Sequence, residues 1–153
     1  LVLGSAGWYT MPDRSKPYPF GVADARGLDA VKLNPRAAAR LPTLVVVGED
    51  DDREDDVELN RSAEVMRSQG RHRLERAGNW VDAMNAFAEK QGAARGVELR
   101  VLSGIGHSFK DAVMLGGLGE LLLGFCHQTV GPRKFAAGDG GGCTTYEAAR
   151  ASQ

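Results

Sequence analysis

The sequence lacks most of the features that would mark a specialised chain. Two cysteines in 153 residues, Cys126 and Cys143, are too few for a disulfide framework and do not have the paired spacing of a zinc site. No charge sign dominates: 19 Lys and Arg against 20 Asp and Glu leave a formal net charge of -1. Nucleic acid and anionic membranes usually require a basic excess, so neither is an expected partner. Long apolar runs are missing too. The best candidate, Ala112 to Cys126, is broken by Gly116, Gly117, Gly119, Glu120 and Gly124, well short of the roughly 20 apolar residues that span a bilayer. Leu1 to Gly4 is apolar but is followed at once by small and polar residues, unlike a signal peptide. The expectation is a cytoplasmic chain with no cofactor, no metal and no membrane partner.

What remains is an ordinary globular composition, 42% hydrophobic and 25% charged, at a length suited to one domain. The chain opens at Leu1, without an initiator Met, inside an apolar run that reads as a strand. The expectation is therefore the carboxyl-terminal part of a larger domain, with no reading of its oligomeric state.

Three segments have strand character. Leu1 to Gly4 is the first. Thr43 to Gly48, Thr-Leu-Val-Val-Val-Gly, is the strongest: β-branched and apolar on both faces, it suits a central strand covered by helices on both sides. It empties into Glu49 to Asp56, acidic almost throughout. In the third, Val97, Leu99 and Val101 alternate with Glu98 and Arg100, the period of a strand with one buried face. This strand leads into Ser103-Gly104-Ile105-Gly106-His107, whose glycines permit a sharp turn immediately before a histidine.

Helical signals fill the intervals. Asn34-Pro35 predicts a short helix to Leu41, and Ser62 to Ser68 a second. Trp80, Ala83, Met84, Phe87 and Ala88 form one stripe of a third, with Asn79 as its expected cap. His72 among Arg71, Arg73 and Arg76 reads as a surface turn. Phe109, Ala112, Val113, Leu118, Leu121, Leu122 and Phe125 predict a last helix ending near Gln128, and a glycine-rich tail follows over 129–153. The early segment from Trp8 to Phe20, with four aromatics and three prolines, excludes regular helix and supplies either a cover over the core or a pocket wall. Trp8 and Tyr9 are its candidate substrate-binding residues. This alternation implies an α/β fold with about three parallel strands and flanking helices.

A carboxylate ending one strand and a histidine ending the next can hold an imidazole as a general base. His107 and one of Asp50, Asp51 or Asp52 offer that pair. Pro42-Thr-Leu-Val-Val-Val-Gly48-Glu-Asp-Asp51 and Gly104-Ile-Gly-His107-Ser resemble the α/β-hydrolase superfamily over about residues 1 to 128, and Gln69-Gly70-Arg71-His72-Arg73-Leu74 with Gly7-Trp8-Tyr9-Thr10-Met11-Pro12 resemble an esterase-like branch of it. The resemblance implies a Ser-Asp-His triad in which Asp51, through the Gly-x-x-Asp match, is the acid and His107 the base, acting on a small ester or amide. It also implies that the serine lies upstream. The motif that should carry it, Gly-x-Ser-x-Gly, is absent. Leu3-Gly4-Ser5-Ala6-Gly7 comes nearest, but Leu3 replaces the first glycine and Trp8 to Pro12 cannot begin the helix that aims the serine.

Other readings of these residues fare worse. A response-regulator magnesium pocket needs a carboxylate where Ser103 stands, and a calcium loop needs a mid-loop glycine and a terminal glutamate that are missing. From a different class comes a non-catalytic α/β module that binds a partner through the aromatic loop 8–20.

Overall fold

The computed structural model describes residues 1–23 and 34–130. Among these, the sheet has three parallel strands in the order β1(Val2–Gly4), β2(Thr43–Gly48), β3(Val97–Leu102). The fold class is α/β, as the alternation predicts. β2 lies in the middle and every one of its residues is buried, which is why its sequence is apolar on both faces. Thr43 to Gly48 pair one-for-one with Val97 to Leu102, so the two strands end level and their following loops leave the sheet side by side.

Two apolar clusters sandwich this sheet. On one face Val45, Val47 and Val97 meet Ala77, Trp80, Val81, Met84 and Ala88 of a long helix, with Tyr9 stacked on Trp80 at 5.0 Å between ring centroids. On the other, Leu44, Val46 and Leu102 meet Ile105, Ala112, Leu118 and Phe125. The alternating valines of β2 thus hold both layers.

The helices differ from expectation in informative ways. α1 is Pro35–Ala38, with Asn34 Oδ1 accepting the Ala37 N–H, and α2 is Ala63–Gln69, capped by Ser62. α3 runs from Arg73 to Lys90 and is capped by His72, not Asn79. The expected surface turn is thus the first turn of this helix, and Arg73 and Arg76 are buried in it. Arg76 donates to the Gly70 and Gly7 carbonyls, so a buried cation is satisfied by backbone oxygen. Burial, then the neighbouring Arg73, holds its guanidinium below the usual arginine range. Phe87 sits at the margin of the stripe and only partly packs on the core, because the buried face turns through Asn85, whose amide pairs with both backbone groups of Val97. The expected last helix is two, α4(Phe109–Met114) and α5(Leu118–Val130), broken where Gly117 takes a φ of 67°. Phe109 is exposed and takes no part in the expected apolar stripe. α5 runs past the expected start of the tail; residues 131–153, Cys143 among them, lie outside the described residues. No helix among the described residues is long and apolar enough to cross a membrane.

Tyr9 is a core residue. Its ring is buried and its hydroxyl meets no partner at full hydrogen-bonding geometry. Burial, slightly offset by the Ala6 backbone, pushes the phenol up to about 12 from 10.0. The sign follows: stability from the neutral phenol is complete below pH 10 and is lost as pH rises through 12. Two pKa units correspond to a loss on the order of 3 kcal/mol. Urea unfolding between pH 9 and 12 should show this slope, and Tyr9→Phe should remove it at little cost at neutral pH. In the same assay, Met84→Ala should cost about 2–5 kcal/mol and Phe87→Ala distinctly less, in proportion to the apolar contact each loses.

Candidate active site

The site is built by a close approach of backbones where β2 and β3 end. A Cβ on Gly48 would lie 2.0 Å from the Ile105 carbonyl oxygen, so no other residue fits there without displacing the glycine loop. The contact is sealed by Asp50 N–H donating to Ile105 O at 3.0 Å and Glu49 N–H to Leu102 O at 2.9 Å. Glu49 adds a side-chain tie, accepting from Ser103 Oγ and the Gly104 N–H. Those two donors, the hydroxyl first, hold its carboxyl below the usual range.

This approach delivers one acid to the histidine. Asp51 is 3% exposed, whereas Asp50 and Asp52 face solvent. Its Oδ2 lies 3.0 Å from His107 Nδ1. A carboxylate oxygen can only accept here, so Nδ1 carries the hydrogen, and in the neutral ring Nε2 then keeps its lone pair. The His107 side chain is 42% exposed, so the ring is open to solvent while Asp51 is not. On the far side of Asp51, Oδ1 faces Arg73 Nη1 at 3.6 Å, and the same nitrogen meets Asp56 Oδ2 at 2.5 Å. Asp56 is held below the usual carboxyl range, by the Glu58 N–H first and by Arg73 second. Leu74 N–H, in the first turn of α3, donates to the Asp51 carbonyl oxygen at 3.2 Å, tying the acid loop to the helix.

Two hollows flank His107. One is an apolar cavity of about 300 Å³ between β1, β2 and the α4–α5 pair, lined by Val46, Leu102, Ile105, Leu118 and Leu122, with Ser5 and His107 at its polar rim. The other is an open cleft walled by Asp50, Asp55, Asp56, Glu58 and Arg53. Trp8 and Tyr9 line neither. Trp8 packs on Phe20 and Tyr9 on Trp80 of α3, on the same face of the sheet. Ser5, by contrast, is more notable than its sequence context suggests. It ends β1 on the same edge of the sheet as Asp51 and His107, and at φ 36° it is the single non-glycine residue among those described with positive φ, a strained conformation of the kind that collects at functional sites. Its N–H donates to Val46 O, while its hydroxyl makes no hydrogen bond to His107. No cluster of three His, Cys, Asp or Glu converges as a metal would need among the described residues.

No protein-family model matches the chain, and no curated protein does. Solved structures do. Poly(aspartic acid) hydrolase-1 from Sphingomonas sp. KT-1 superposes with a TM-score of 0.63 at 29% identity, over 76% of this chain and 44% of that one. LpqC, a poly(3-hydroxybutyrate) depolymerase from Bordetella parapertussis, does so with a TM-score of 0.59 at 26% identity, over 86% of this chain and 41% of that one. The chain spans less than half the length of either. Both carry the name of a polymer-cleaving enzyme, and the chain has the α/β fold of a hydrolase-like segment.

Replacing Gly48 with Ala should cost at least about 1–3 kcal/mol through overpacking against backbone, measured by urea unfolding. It should also part Asp51 from His107, seen as loss of the Nδ1–H resonance in the proton NMR spectrum.

Proposed function

We propose that this chain supplies the acid and base of a serine hydrolase of the α/β-hydrolase type, with Asp51 orienting His107 and His107 acting as general base. The observation that carries the reading is the 3.0 Å contact between a buried carboxylate and the Nδ1 of a half-exposed imidazole. Such a carboxylate fixes the tautomer and stabilises the imidazolium formed when Nε2 accepts a proton from a hydroxyl. The hydrolase names of the structural neighbours support the same chemistry. The nucleophile in this reading is a serine on a strand-turn-helix segment outside the sequence, pairing with the outer edge of β1.

An ester or amide of small, uncharged character suits the site. The apolar cavity beside His107 accommodates its hydrophobic part. The carboxylates of Asp50, Asp55, Asp56 and Glu58 on the other side outnumber their cations, Arg53 bridged to Asp55 and Arg73 to Asp56, so like-charge repulsion disfavours a polyanion.

Ser5 supports a second reading. Its positive φ and its place on the cavity rim with His107 are what a nucleophile on a sharp turn would have. Against it stands the irregular Trp8 to Phe20 segment, which places no helix directly after Ser5 to aim the serine.

Assay on a short-chain activated ester separates the two. The 153-residue chain alone should show no turnover, and the chain joined to the proposed serine segment should hydrolyse the ester, with His107→Ala lowering kcat by about 10⁴-fold. Turnover by the chain alone that is abolished by Ser5→Ala would assign the nucleophile to Ser5.

A further inference from the structure

Arg73 is the least expected member of the site. It opens α3, where a cation is disfavoured by the positive end of the helix dipole, and its side chain is 3% exposed. A cation placed against both the dipole and burial needs compensating negative charge, and Asp51 and Asp56 supply it from one side. The guanidinium Nη1 stands between Asp51 Oδ1 and Asp56 Oδ2, while its Nε is buried without a hydrogen-bond partner. Its place is set by the two carboxylates.

We propose that Arg73 is a positioning residue for the Asp51–His107 pair, engaging the far oxygen of Asp51 so that the near oxygen is held on His107 Nδ1. This rests on the hydrolase reading of the pair. A carboxylate is free to rotate about its χ2 bond, and with only His107 on one oxygen it could swing off the ring. Arg73 attracts Oδ1 across 3.6 Å and His107 holds Oδ2 at 3.0 Å, so both favour the same orientation of the carboxylate. The Leu74 N–H on the Asp51 carbonyl fixes the backbone of the same residue, so the first turn of α3 grips Asp51 at two points. Asp51 thus lies between His107 and Arg73, and Arg73 between Asp51 and Asp56.

Ring-nitrogen NMR of the ¹⁵N-labelled 153-residue chain tests this without any assay of activity. In the unaltered protein His107 should show one tautomer, hydrogen on Nδ1. Arg73→Gln, which removes the charge, should raise the minor tautomer roughly tenfold, equivalent to about 1.4 kcal/mol of lost orientation, while Arg73→Lys should restore the single tautomer. Circular dichroism identifies a variant that fails to fold. In that event the double variant Arg73→Met, Asp56→Asn, which removes one charge of each sign, takes the place of Arg73→Gln with the same expected result. A fixed tautomer in the unaltered protein that survives loss of Arg73 would overturn the positioning role and leave the hydrolase reading standing. Mixed tautomers already in the unaltered protein would overturn the fixed pair on which both depend.

Discussion

The structure depends on how closely two loop backbones approach at the ends of β2 and β3. Gly48 has no side chain, and the Ile105 carbonyl occupies the space where one would be. Level strand ends bring the loops together, the missing Cβ lets them touch, and Asp50 and Glu49 N–H groups lock them. Asp51 then has little choice of direction. It points under the glycine loop to His107 on one side and towards α3 on the other, and its burial is a consequence of that placement.

The polar site is held by apolar architecture. β2 carries valines to both faces of the sheet, Trp80 and Met84 press on one and Leu118 and Phe125 on the other, so the edge from which the two loops emerge is rigid. Rigid strands that present reactive groups on loops at their carboxyl ends are the general arrangement of open α/β sheets. Here the arrangement leaves the acid buried and the imidazole half open, the asymmetry that the proposed general base would need.

Much of this was legible from the residues. Thr43 to Gly48 reads as a central strand because both of its faces are apolar, and Val97 to Leu102 as its neighbour because it alternates. Gly48 and Asp51 were visible as a spacing, although the reason for the glycine, a steric one, needed the fold. Asp51 could not be separated from Asp50 and Asp52 by composition, since only tertiary placement makes one of three adjacent carboxylates buried. Arg73 and Arg76 were misread for a related reason. Charged residues interrupt an apolar period, so the apolar stripe alone starts the helix at Asn79. The missed signal was that Arg73, Arg76, Ala77, Trp80, Val81 and Met84 continue one helical stripe, and a cation on a buried stripe calls for acids or carbonyls facing it. For Tyr9 the sequence left two readings open, a cover over the core or a pocket wall, because an aromatic in a proline-rich loop serves either; its burial against Trp80 is that of a cover.

The central claim is that His107, held by Asp51, activates a serine. Labelling with a fluorophosphonate, which reacts with serines made nucleophilic by a neighbouring base, tests it most directly when applied to a polypeptide carrying residues 1–153 together with the proposed serine segment, with the labelled peptide located by mass spectrometry. The account predicts one modified serine, outside residues 1–153, and loss of labelling in His107→Ala. Labelling that persists without His107 would contradict it.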